Sequence, residues 1–346
     1  FPGSNLPLSY LMGLPTMIMP LFIGIFFTAA MPRSASDYVA VSRIVSPHLA
    51  FVGSWVQWQN WVWVGAVTAP GIFTIFGPVL TFLGKATQNE ALYAAAAPFA
   101  NYGTIELLLL GFAGLAAMTV IAIVGMRFSS YILNAMFLLQ LVGVLMGTAI
   151  IGYYAMLGPA ATAVAWDSTY GAGSWQEVVG VAKANGWENW VAEAAGSAEN
   201  WGWPGGWTMA QTLPAVLPAA YAWWGMELSN QVAGEIKEPS KTYMRGILLS
   251  AGIALVWYMT TTVWISQAFG PFFQQYVYVD LLYADQLKIT PAIFPMTYNM
   301  QAPLFGNAWL GTANILLQSL NIPSGGLAMI LVCSRVTFAW SYDRVF

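Results

Sequence analysis

Histidine and cysteine each occur once in this sequence, as His48 and Cys333, and only 7% of the residues are charged. A single cysteine cannot close an internal disulfide, so the redox compartment stays open. One histidine and one cysteine do not supply a His/Cys metal site. The charged fraction lies far below the roughly 25% of an ordinary soluble domain, which excludes that class. The net charge is −3 and no run of lysine or arginine exists, so a nucleic-acid surface is excluded too. No lysine sits in the middle of an apolar stretch, which leaves a retinal Schiff base without an anchor.

What is present is apolar. Hydrophobic residues make up 58%, and 17 Trp, 16 Tyr and 19 Phe form an aromatic load suited to membrane interfaces. A helix needs about 20 mostly apolar residues to cross a bilayer core. Seven stretches qualify: about 8–30, 50–76, 104–126, 130–157, 208–233, 244–268 and 311–341. The chain reads as an all-α, polytopic, integral membrane protein, with lipid as its surroundings. Pro2 to Pro7 carries no basic segment of the signal-peptide kind. The start at Phe1 and the stop after "SYDRVF" read as the edges of an excerpt.

Orientation follows from the basic residues. Placing the first connection in the cytoplasm puts Arg33, Arg43, Arg127, Lys237, Lys241, Arg245, Arg335 and Arg344 inside. Only Lys85, Lys183 and Lys288 then lie outside, with most of the acidic residues. Residue 1 is expected outside, residue 346 in the cytoplasm, and the cytoplasmic (plasma) membrane is the expected location. The outer segment 158–207 holds Trp166, Trp175, Trp187, Trp190, Trp201, Trp203 and Trp207. It reads as a folded cap, serving either as an aromatic interfacial belt or as a ligand lid.

The fifth stretch is expected to break. Thr208 to Gln211 fits a capping box directly after "WGWPGG", so a helix should start there. Pro214 and Pro218 each remove a backbone donor and crowd the preceding turn. "YAWWGME" follows, with Gly225 supplying backbone freedom beside Tyr221, Trp223 and Trp224, and with the carboxylate of Glu227. Loosened backbone survives at membrane depth only against protein or a watery cavity. A charge there costs about 2.5–3.5 kcal/mol on insertion scales, so it faces a cavity or a partner. A helix broken near the midplane is a common transporter device for holding a substrate. A plain proline kink, with Glu227 as a structural acceptor, is the competing explanation.

At these residues a family becomes visible. "YAWWGMELSNQVAGEIKEPSKT", Tyr221 to Thr242, resembles the sixth-span signature of the amino acid–polyamine–organocation (APC) transporters. The matching positions are Tyr221, Gly225, Glu227, Gly234, Glu235, Lys237, Pro239 and Thr242. "MPRSASDYVAVSR", Met31 to Arg43, resembles the loop after the family's second span, with Ala35 and Ser36 where Gly-Gly is common. "SRVTFAWSYDRVF" resembles the end of the eighth span. The resemblance implies an inverted five-helix-repeat fold with discontinuous helices, of which spans two to eight are present and the first and last are missing.

It also implies a site. In relatives the unwound sixth span stacks an aromatic on the substrate, which points to Tyr221. Ala222, Trp223 and Trp224 would supply backbone or walls, Gly225 a hinge, and Glu227 a carboxylate that organises the site or takes part in gating. "QWQNWVW" in the third span places Gln57, Asn60 and Trp61 nearby, although polar residues on membrane helices equally serve to join helices. For coupling, the resemblance points to Ser324 in "NIPSGG" as a hydroxyl for a cation. Gln140 stands where some relatives carry a lysine, so H+ or Na+ stays unassigned as the coupling ion. Arg33, Asp37 and Arg43 belong to a loop near the inner gate of relatives, or to an ordinary positive-inside loop. Glu106 reads as interfacial.

No cofactor, metal or nucleic-acid partner is implied, oligomeric state is not readable, and an enzyme is not expected. The implied activity is secondary, alternating-access transport of an amino acid or amine, by ion-coupled symport or exchange. The alternative is a transporter-like ligand sensor without net transport. The aromatic pocket suits a neutral or aromatic amino acid by stacking, and a cationic amine by cation–π contact.

Overall fold

The computed structural model describes residues 3–100, 102–187, 207–235, 237–293 and 295–343, with the side chains of Ala100, Met226, Glu227, Pro239 and Ser240 outside that description. All regular elements among the described residues are helical. Among the described residues, six helical stretches are long and apolar enough to cross a membrane: Leu6–Ala30, Pro47–Ala86, Thr104–Val124, Met126–Leu157, Lys241–Phe269 and Ala308–Tyr342.

In chain order the elements used below are α1 (Leu6–Ala30), α2 (Ser36–Ile44), α3 (Pro47–Thr68) and α4 (Phe76–Ala86). They continue with α5 (Thr104–Val124), α6 (Met126–Leu157), α7 (Pro159–Tyr170), α8 (Ser174–Ala184) and α9 (Met209–Trp223). The last are α10 (Pro239–Phe269), α11 (Phe272–Leu282), α12 (Ala308–Ser319) and α13 (Asn321–Tyr342). A bilayer offers the backbone no partner, so each crossing segment satisfies its amides internally.

Helix α1 shows how sequence becomes packing. Asn5 caps it by accepting the Leu8 amide at 3.0 Å. Met17, Leu21, Gly24 and Thr28 are buried on one face, and Met19, Phe22 and Phe26 are exposed on the other. The buried face packs on α9 and α10; α3 packs on α13, and α6 on both α10 and α12.

The stretch 208–233 is divided. A 15-residue helix, α9, gives way to a ten-residue 3-10 segment, Met226–Glu235. Neither part alone reaches the length that a crossing needs.

At the start of α1, the Gly3 amide donates to Gln274 Oε1 at 3.1 Å and the Gly3 carbonyl accepts from Thr208 at 3.0 Å. This is the α11 face of the molecule; α2 follows the other end of α1 and defines the opposite, α2 face. A cap of α7, α8 and α11 covers the α11 face. Its core stacks Trp175 on Phe272, 3.5 Å between ring centroids and 9° between planes, with Trp166, Tyr170 and Tyr276 beside them. The described tryptophans of this cap therefore sit in a packed interior; Trp190, Trp201 and Trp203 lie outside the described residues.

Candidate functional site

The break is built by Thr208 at one end and Gly225 at the other. The Thr208 hydroxyl oxygen accepts the Gln211 amide at 3.1 Å and starts α9, which runs through Pro214 and Pro218 to Trp223. Trp224 is then extended, at ψ 147°, and Gly225 takes φ +101°, a region that L side chains rarely adopt. Helical pairing is lost across this point. The Ala222 carbonyl instead accepts the Tyr258 hydroxyl of α10 at 3.0 Å. A protein donor thus replaces the missing amide, as a membrane interior requires.

The two tryptophans of the break face different ways. Trp223 is 1% exposed and donates its indole N–H to the Tyr10 carbonyl of α1 at 3.0 Å. Its ring meets Tyr258 nearly edge-on, at 4.9 Å and 86°. Trp223 is therefore a packing residue between α9, α1 and α10. Trp224 is half-buried, stacks on Tyr221 at 5.7 Å and 19°, and packs against the cluster of α3 and α13. Tyr221 itself is 61% exposed.

That cluster brings three distant segments together. Trp58 and Trp61 come from α3, Trp224 and Leu228 from the break, and Met329, Val332 and Cys333 from α13. Trp61 is 1% exposed, and its indole N–H has no partner among the described residues. Gln57, one turn away, is half-buried, and Asn60 is exposed on another face of α3. The structure thus gathers Trp61 and Trp224 into one apolar cluster, to which Asn60 does not belong. Glu227 lies in the 3-10 segment, and its side chain is outside the described part.

On the α2 face, Asp37 accepts from Asn230 Nδ2 and Gln231 Nε2, both at 2.7 Å. Arg33 is exposed beside a cavity of about 350 Å³ that Arg43, Tyr342 and Asp343 also line. Arg43 pairs with Asp343 at 2.8 Å, and Arg335 lies 2.6 Å from Glu235.

The remaining expected positions sit apart from the break. Ser324 donates to the Asn321 carbonyl of its own first turn at 3.1 Å. Gln140 is half-buried on α6, and Glu106 is exposed in the first turn of α5. Among the described residues, no three of His, Cys, Asp and Glu are grouped to hold a metal ion.

Sequence reasoning missed one polar cluster. Gln318 Nε2 donates to Gln301 Oε1 at 2.6 Å, to Asn314 Oδ1 at 2.8 Å and to the Gly143 carbonyl of α6 at 3.1 Å. Gln301 is 2% exposed and Asn314 fully buried. The signal was available: Asn314 and Gln318 are four apart on α12, opposite the small pair Gly143 and Gly147 on α6.

No curated protein matches the chain. The family model described as amino acid permease matches residues 2–342, nearly the whole sequence. With its interrupted helix and its bilayer-length apolar helices, this chain belongs to the amino acid permease family of the APC superfamily, a family of transporters.

Proposed function

We propose that this protein is a secondary transporter that moves an amino acid or related amine by alternating access, with its substrate held at the break between Tyr221 and Gly225. One observation carries this reading: the main chain leaves helical geometry at Trp224 and Gly225 inside an apolar bundle. Backbone freed there, and sheltered by protein, is suited to a polar ligand. In this reading Tyr221 stacks on the substrate and Trp224 and Trp61 form the walls. Gly225 is the hinge, Ala222 supplies main chain, and Gln57 and Asn60 approach from α3. Trp223 supports the break from behind. The fold is read as an inverted five-helix repeat, with the α2 face cytoplasmic because most of the arginines and lysines fall there.

Coupling is assigned by the same reading to H+ or Na+, with Glu227, Gln140 and Ser324 as the positions to test. Arg33 and Asp37 belong to the inner gate. The aromatic walls fit a neutral amino acid by stacking, or an amine by cation–π contact.

The test is counterflow in proteoliposomes holding the full-length protein, with a panel of labelled amino acids and polyamines. Saturable exchange is expected, falling at least tenfold in Tyr221→Ala and Glu227→Gln while membrane insertion stays normal. Full activity in both variants would overturn the site. Flat traces across the panel, with folded protein, would favour a ligand sensor instead.

A further inference from the structure

The 3-10 segment after the break lacks the regular amide-to-carbonyl ladder of an α-helix, and it bends again at Val232, where φ is −109° and ψ 16°. Something else must hold it. Hydrogen bonds reach it from the end of the loop after α1 and the start of α2. The Ala35 amide donates to the Gln231 carbonyl at 2.9 Å, and the Ser36 hydroxyl donates to the Asn230 carbonyl at 3.0 Å. Asp37 then accepts both side-chain amides, from Asn230 and Gln231, at 2.7 Å each. Three consecutive residues, Ala35 and the first two of α2, therefore grip two consecutive residues of the segment.

The grip is dry and close. Ala35 and Ser36 are fully buried, and Asn230 and Gln231 are each 1% exposed. Ala35 takes φ +53°, a left-handed conformation that is strained for a non-glycine residue. Gly234 lets the two backbones meet: a Cβ there would stand 2.8 Å from the Ser34 amide nitrogen. The Asn230 Nδ2 faces the carboxylate, and its buried Oδ1 has no hydrogen-bond partner among the described residues.

The joints to α13 are of another kind. Arg43–Asp343 and Glu235–Arg335 are ion pairs with partly exposed side chains, from 20% to 55%. Such pairs are individually weak and screened by salt. Buried hydrogen bonds to a charged acceptor are stronger and costly to leave unmade. The ionic joint is thus the weaker of the two, and the gripped one the stronger.

We infer that Asp37 is a positioning residue that locks residues 31–37, the loop and the start of α2, onto Met226–Glu235, so that they and the far half of the broken helix move as one body. This rests on the transport reading for its consequence, and on the hydrogen bonds for its mechanism.

The experiment uses full-length protein in proteoliposomes, with Asp37→Ala, Asp37→Asn, Asn230→Asp and the exchanged pair Asp37→Asn/Asn230→Asp. The exchange swaps donor and acceptor across one contact and leaves Gln231 its acceptor. Each single variant is expected to lower the maximum counterflow rate at least tenfold, with KM changed less than threefold. The exchanged pair should return to within threefold of the parent rate. A merely structural role would lower the amount of folded protein and leave the counterflow rate per folded molecule at the parent value. Hydrogen exchange on the same samples reads the clip without transport, and amides of 33–37 and 226–235 should lose protection together in Asp37→Ala. Parent-like transport in Asp37→Ala, no rescue by the exchanged pair, or loss of protection in one segment alone would each overturn the inference. Joint loss of protection in a protein that exchanges no substrate would uphold the clip and refute the transport reading.

Discussion

Arg335 Nε lies 2.6 Å from Glu235 Oε1, tying the end of the 3-10 segment to α13. The N–H is not aligned on the oxygen, so the attraction is ionic rather than a directed hydrogen bond. At about a third exposure on each side chain, the pair is worth on the order of 1 kcal/mol. Glu235→Gln should therefore leave the fold intact and loosen this closure. Cys333 offers a native probe, since its sulfur packs 4.0 Å from the Trp58 carbonyl in the wall of the candidate site. Maleimide labelling of Cys333 is expected to speed up several-fold in Glu235→Gln, and to slow in the parent when a bound substrate fills the site. Unchanged labelling in the variant would show that this pair does not limit access.

Gly225 allows a test of backbone conformation alone. A Cβ there would meet nothing closer than Leu228 Cδ1 at 3.5 Å, so space is not the obstacle. The Gly225 φ is +101°, and forcing alanine into it costs roughly 1–2 kcal/mol. Gly225→Ala should lower the melting temperature by only a few degrees and reduce counterflow at least tenfold, because the break itself is displaced. A melting shift without loss of counterflow would separate the hinge from the transport step.

Asp280 lies on α11 in the cap, outside the bilayer-length helices. Burial pushes its carboxyl from the ordinary 3.8 up to about 6. The folded cap thus prefers the protonated acid. Its contribution is favourable below the ordinary value, declines as pH rises through the interval up to about 6, and is lost at neutral pH. Asp280→Asn is expected to stabilise the cap at pH 7 by roughly 1–2 kcal/mol after allowance for solvent screening. Thermal unfolding followed by tryptophan fluorescence at pH 5 and pH 7 measures it, and the gain should shrink at the lower pH.

Glu177 makes the opposite case in the same cap. Partial burial works to raise its pKa, but the amides of Thr290, Ile289 and Lys288 outweigh that and hold it below the ordinary 4.5. Its stabilising contribution is complete above the ordinary value and fades as pH falls through the lowered one. Glu177→Gln should therefore cost on the order of 1 kcal/mol at pH 7 and nothing once the parent carboxyl is protonated. Proteolysis within 284–293 across an acid titration reports the release of this clasp.

Membrane class and family were readable from residues alone, because both rest on local chemistry. A 7% charged chain with repeated apolar runs has no soluble solution. The break was readable too: a capping threonine at 208, prolines at 214 and 218, and a glycine at 225 each constrain the backbone without reference to neighbours. Which side chains share the site was not readable, because helix rotation is decided by packing. Trp223 and Trp224 are adjacent in sequence, yet one is spent on the Tyr10 carbonyl and the other packs against the cluster that holds Trp61. Asp37 carried no sign of its partners, since Asn230 and Gln231 lie more than 190 residues away. Sequence determined that this chain crosses a membrane and where its helix breaks; only the tertiary structure decided what holds each side of the break, because hydrogen bonds between distant segments form only once the helices are packed.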